Sequence, residues 1–427
     1  MTRQAHSAKP VAGGLPAKAD AGHTTASGRA WLALALALIG FAVNFWAWAL
    51  LSPLGPKFKE VLGLTPFQQA LVVAVPVVVG SLGRIPVGGL TDRYGGRLMF
   101  PVVSLATVMP VLYLGLSGHS SLAGLLVGGF FLGIGGTAFA VGIPTVTAWF
   151  PAGQRGLALG LFGMGMGGTA ISALTTVKLA TAHGVQAPFI ITAIALAVYA
   201  LVAIALLRDA PARKAPSTPL SARLADAMRL RITWIGSAVY AIAFGGYVAF
   251  SVYLVTYLKT AYGLTAASAA NKMAGFVLLA VLARPVGGWL ADQISPAIVL
   301  GSAFAVATAT AAVQATTPGL MWSGTIAFLA MAAALGAGSG ATFALVGRLA
   351  PADKVGSVTG VVGAAGGLGG FIPPLVMGAI YSSYHSYALG LALLAIVAAA
   401  MAVFSVTVIR KAVPRADDTA DGARPGR

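Results

Sequence analysis

From Trp31 to Ile409 the chain alternates long apolar stretches with short polar breaks. Each stretch reaches about 20 residues, the helical length that crosses the hydrocarbon core of a bilayer. Twelve spans are predicted, near 30–52, 66–90, 98–118, 122–150, 155–178, 186–207, 232–258, 266–291, 296–315, 321–348, 355–381 and 386–409. The pattern predicts an all-α membrane protein.

Composition agrees with that pattern. Of the 427 residues, 58% are hydrophobic and 9% charged, where a soluble chain carries about a quarter charged. The absence of cysteine excludes disulfides and cysteine-ligated metal sites. The five histidines (His6, His23, His119, His183, His385) are scattered and suggest no metal cluster. No acid, base or metal constellation gathers in the spans, so neither an enzyme nor a bound cofactor is expected. With no sizeable soluble domain outside the spans, a sensor is disfavoured too.

The net charge of +17 changes the picture through its placement. Of the 27 lysines and arginines, Lys57, Lys59 and Lys259 fall on one side, and Arg84, Lys178, Lys272 and Arg284 within spans. The remaining 20 fall on the other side, together with both termini. By the positive-inside rule that side is cytoplasmic, and the charge sets topology rather than nucleic-acid binding. The expected organisation is a disordered cytoplasmic tail (1–29), a six-helix bundle (30–207), a cytoplasmic linker (208–231), a second six-helix bundle (232–410) and a tail (411–427). Residues Ser221–Leu230 of the linker are expected to form a short helix on the membrane surface. No signal-peptide pattern precedes the first span.

A register of 200 residues relates the two bundles. Gly63-Leu64-Thr65 recurs as Gly263-Leu264-Thr265, Lys59 as Lys259, and Arg84 as Arg284. Gly88 and Asp92 recur as Gly288 and Asp292, Pro151 and Gly156 as Pro351 and Gly356, and Gly160, Gly163 and Gly167 as Gly360, Gly363 and Gly367. Six plus six spans in one orientation are parallel repeats about an axis along the membrane normal. The stretch Gly88-Gly-Leu-Thr-Asp92-Arg93-Tyr-Gly95-Gly-Arg97, with its decayed copy Gly288-Trp-Leu-Ala-Asp292, resembles the motif of the major facilitator superfamily between spans two and three. The resemblance implies a major facilitator fold with its substrate site near mid-membrane. It also implies a cytoplasmic gate at Gly88, Asp92, Arg93, Arg97 and Asp292, in which Asp92 caps a helix or pairs with Arg93 or Arg97.

Arg84 and Arg284 carry the candidate chemistry. Arg84 stands eight residues before Asp92, about 12 Å of helix from the cytoplasmic end, and each arginine costs about 2.5–3.5 kcal/mol at the centre of a span. Snorkelling recovers only part of that depth. No acidic residue falls within a predicted span, so the pair calls for water or a bound anion, and guanidinium forks match a flat oxyanion bidentately. Lys178 and Lys272 are read as snorkelling outward. The glycines of spans five and eleven fit close helix packing as well as a role in substrate contact or rocking.

With span four (Phe139), span seven (Tyr240 to Phe244) and glycine-rich spans five and eleven, the arginines resemble the nitrate/nitrite porter family. The resemblance covers roughly residues 31–409. It implies secondary transport of nitrate and/or nitrite across the plasma (inner) membrane by rocker-switch alternating access, as anion exchange or with a proton, by a monomer. Substrate-binding roles then fall on Arg84, Arg284, Phe139, Tyr240 and Phe244, and conformational roles on Gly163, Gly165, Gly167, Gly363, Gly366, Gly367 and Gly370. One position departs from the pattern. Met166 stands where family members commonly carry asparagine, which leaves a carrier of another small anion, such as formate or a small carboxylate, as the alternative.

Overall fold

The computed structural model describes residues 27–151, 154–211, 213, 217–351 and 354–412. Most of the 1–29 and 411–427 tails therefore lies outside the described residues. Twelve helices among the described residues are long and apolar enough to cross a membrane. In the first half they are α1 Gly28–Leu62, α2 Pro66–Tyr94, α3 Gly96–Leu116, α4 Leu122–Trp149, α5 Ala158–His183 and α6 Gln186–Leu206. The second half holds α7 Arg231–Tyr262, α8 Ala266–Gln293, α9 Pro296–Ala315, α10 Leu320–Leu349, α11 Val355–Tyr384 and α12 Ala388–Ala412. A further short helix, Leu220–Met228, lies in the linker.

The repeated Gly-Leu-Thr has a local structural cause. Gly63 and Gly263 take left-handed backbone angles (φ +63° and +65°) and close the ends of α1 and α7, a conformation that glycine adopts without a Cβ penalty. Two residues on, Thr65 and Thr265 cap α2 and α8, accepting from the backbone N–H of Gln68 and Ser268 at 3.2 Å. Helix stop and helix start thus recur in register. The hydropathy pattern cut α1 short at residue 52, because Lys57, Lys59 and Glu60 sit on its last turns; the helix continues to Leu62. The same holds for α7, whose last turns carry Lys259.

The halves meet along α2 with α11, α5 with α8, and α1 with α7. Contacts at the end away from the linker seal that face. Ser52 Oγ donates to the Val252 carbonyl (2.7 Å), Gln69 Nε2 donates to Thr256 Oγ1 (2.9 Å), and Lys259 pairs with Glu60. The linker face differs. There a cavity of about 450 Å³ runs between the halves from the linker to Arg84.

Inside the second half, α8 and α10 touch backbone to backbone. A Cβ on Gly340 would lie 1.9 Å from the Arg284 carbonyl oxygen, and one on Gly336 would lie 2.1 Å from that of Ala280. In lipid, where apolar burial drives little helix association, such close approach supplies the packing energy. Gly340→Ala is expected to destabilise the protein by about 1–3 kcal/mol. A thermal melt in detergent reads this as a transition lowered by several degrees; an unchanged melt would show that the backbones can separate freely.

Candidate functional site

Arg84 comes from α2 just past Gly83, whose backbone stays helical. Its side chain is 5% exposed. Arg284 comes from α8, directly before Pro285, and is half-buried. The same two rings attend both. The Phe139 centroid lies 5.1 Å from the guanidinium carbon of Arg84 and 5.8 Å from that of Arg284; for Phe244 the distances are 5.4 and 5.6 Å. The arginines of opposite halves therefore meet between one ring from each half, in cation–π range.

The supporting groups follow from local sequence. Tyr240 and Phe244 stand four residues apart on α7, which places them on one helix face. Their rings stack with centroids 4.8 Å apart and planes 3° apart. Tyr240 Oη accepts from Arg284 Nη2 at 2.8 Å. Gly366 lets that ring approach α11, since a Cβ there would lie 2.1 Å from Tyr240 Cδ1. Phe139 follows a tight 3-10 turn, Gly133–Thr137, whose Gly136 carbonyl accepts from Arg84 Nε at 3.4 Å.

Each arginine also reaches into the glycine-rich helix of the other half. Arg84 Nη1 donates to the Gly363 carbonyl on α11 at 2.9 Å, and Arg284 Nη1 to Met166 Sδ on α5. The thioether thus stands directly on one of the two cations, as a weak, polarisable acceptor. Phe343 of α10, which the sequence did not single out, lies 5.5 Å from Arg284 and edge-on to Tyr240 at 4.8 Å. Its counterpart in the 200-residue register is Ile143, so the repeat carried no signal for it.

The predicted glycines divide. Gly165, Gly366, Gly367 and Gly370 are in tight contact, with Phe41, Tyr240, Ser81 and Val248 respectively. Gly163 and Gly167 face open space, and a Cβ on Gly363 would make only an ordinary contact with Phe139. Lys178 and Lys272 are exposed on the outer surface of the bundle.

The gate residues form different partnerships from those expected. Asp92 pairs with Arg223 of the linker helix (2.8 Å) rather than with Arg93 or Arg97. Arg93 follows Asp92 directly on the same helix and its guanidinium lies over Tyr94, while the Arg97 backbone N–H donates to Asp209 (3.1 Å). Asp292 faces Arg348 at 3.8 Å. Gly88 is in ordinary contact with Ala140 and lines the cavity. The expected linker helix forms, as Leu220–Met228, and lies at the cavity mouth. Leu220 and Leu224 line the cavity, and Asp226 pairs with Lys354 at the start of α11 (3.6 Å).

The chain resembles known proteins over most of its length. The Major Facilitator Superfamily profile matches residues 37–374 and 236–425. The probable nitrate/nitrite transporter NarK2 of Mycobacterium tuberculosis (strain ATCC 25618 / H37Rv) is 46% identical over 379 residues, 88% of this chain and 95% of that protein. The nitrite extrusion protein of Bacillus subtilis (strain 168) is 35% identical over 374 residues, 87% of this chain and 93% of that protein. Among solved structures, a bacterial homolog of the human lysosomal transporter Spinster, in its inward-facing and unoccupied conformation, shares the fold. Its TM-score is 0.72 at 18% identity, over 92% of this chain and all of that one.

Proposed function

Because the chain belongs to the nitrate/nitrite porter family of the Major Facilitator Superfamily, we propose that it carries nitrate and nitrite across the plasma membrane by alternating access, with Arg84 and Arg284 as the anion-binding pair. One observation carries this reading: two guanidiniums from opposite halves meet between Phe139 and Phe244 at the inner end of the cavity. Two like charges so placed repel, and a bound monovalent anion offsets that repulsion. Charge-assisted hydrogen bonds from a planar fork suit the edge of a planar oxyanion, and the rings offer apolar walls to its faces. Tyr240 holds Arg284 in place, and Phe343 adds a further ring on the Arg284 side.

The site is complete within one chain, which fits a monomer. The concentration of lysine and arginine on the linker side supports a cytoplasmic linker and cytoplasmic termini. On that orientation the arrangement described is open inward and sealed outward. Transport then requires the Ser52–Val252, Gln69–Thr256 and Lys259–Glu60 contacts to part while α2 and α11 close the inner cavity. The Asp92–Arg223 pair and the linker helix gate that inner side, and the close glycine contacts of α5 and α11 give it a tight fit.

Counterflow tests the reading. Liposomes containing the purified chain and loaded with nitrite are placed in isotopically labelled nitrate, with and without a pH gradient. Uptake that depends on internal nitrite and ignores the gradient identifies anion exchange; uptake that follows an inward proton gradient identifies proton coupling. Formate and acetate serve as competitors, since Met166 beside Arg284 makes the site less polar than an amide would. Uptake of neither nitrate nor nitrite would sink the proposal.

A further inference from the structure

The cavity carries charge at both of its ends. Among the residues that line it are three arginines, Arg84, Arg213 and Arg223, and one carboxylate, Asp92. Asp92 is engaged by Arg223 Nη1, while Arg213 donates through Nη2 to the Arg93 carbonyl (3.1 Å). Neither linker guanidinium is fully satisfied by these contacts, because each keeps a buried Nε–H with no hydrogen-bond partner. Asp92 stands eight residues beyond Arg84 on α2, so the linker cations lie about 12 Å along the helix from the inner arginine. A passage with low-dielectric walls and one sign of excess charge focuses its field on ions of the other sign.

Resting on the anion-carrier reading above, we propose that Arg213 and Arg223 form a second anion subsite at the cytoplasmic mouth. It holds one monovalent oxyanion between solution and the Arg84–Arg284 pair. Two subsites about 12 Å apart let an anion leave the inner pair by a short step onto a waiting charge, and let the next anion queue there. Arg213 is the cleaner probe, because Arg223 also holds Asp92 and its loss would disturb the gate.

Sidedness makes the test specific. Membrane vesicles with the linker face outward and vesicles with it inward, both carrying the full chain, are compared for labelled nitrate uptake in a gluconate medium. Arg213→Gln is expected to raise KM from the linker side about three- to tenfold and to leave KM from the opposite side within about twofold of wild type. Arg213→Lys, which keeps the charge, is expected to recover most of the linker-side affinity at low ionic strength. An unchanged linker-side KM in Arg213→Gln overturns the subsite, as does an equal rise from both sides, which marks a merely structural role. Wild-type vesicles that move neither nitrate nor nitrite would defeat the carrier reading instead. Bromide then decides the subsite independently: an anomalous peak between Arg213 and Arg223 in soaked crystals supports it, and its absence at high bromide overturns it.

Discussion

Replacing Arg84 or Arg284 with lysine is expected to lower nitrate counterflow about 10- to 100-fold. Lysine keeps the positive charge, so a loss of this size isolates the contribution of the guanidinium fork. Arg84 already spends Nη1 on the Gly363 carbonyl and Nε on that of Gly136, and Arg284 spends Nη2 on Tyr240. A planar group with five donors meets these demands and still offers N–H to an anion; an ammonium on a flexible stem does not. Losing one charge-assisted hydrogen bond removes about 1.5–3 kcal/mol, which is about 10- to 100-fold in affinity. The variants should melt within a few degrees of wild type, since the charge and the α2 and α8 backbones are unchanged. Wild-type flux in both would show that two point charges suffice.

A second large effect is expected at Gly367, where α11 crosses α2. A Cβ there would lie 2.1 Å from Ser81 Oγ and 2.9 Å from Ser81 Cβ, three residues before Arg84. Gly367→Val overpacks this crossing, at a cost of about 1–3 kcal/mol, and disfavours the arrangement open at the linker face by about 5- to 150-fold. Flux should fall accordingly. The chain has no cysteine, so a single Ser52→Cys reports on the seal away from the linker, where Ser52 is 2% exposed. Thiol labelling at that position should quicken in the Gly367→Val background as these contacts part. Unchanged labelling with unchanged flux would show that the crossing yields without resistance.

Different parts of this molecule were legible for different reasons. Twelve spans could be read because a bilayer demands long apolar helices, and the 200-residue register located α2 and α8, α5 and α11 as counterparts. The arginines stood out by their cost in such a setting. Helix ends were less legible: Lys57, Lys59 and Lys259 broke the hydropathy pattern without breaking the helices. The partner of Asp92 was hidden because Arg223 lies 131 residues away, on a linker helix whose own residues point to an amphipathic surface helix. Phe343 was hidden by asymmetry, since Ile143 occupies its place in the other half. Met166 was legible as a departure from a resemblance. Its contact with Arg284 needed the crossing of α5 and α8, which no local pattern encodes.

The two arginines are held differently, which their shared sequence register conceals. Arg284 rides a helix whose carbonyl is pressed against Gly340, and its guanidinium is gripped by Tyr240 and Met166. Each arginine stands beside a proline, Pro86 on α2 and Pro285 on α8, so neither the Leu82 nor the Val281 carbonyl receives a helical hydrogen bond from that position. Two side chains that mutation can remove clamp one guanidinium, whereas the other hangs on the Gly136 and Gly363 carbonyls, which no side-chain substitution takes away.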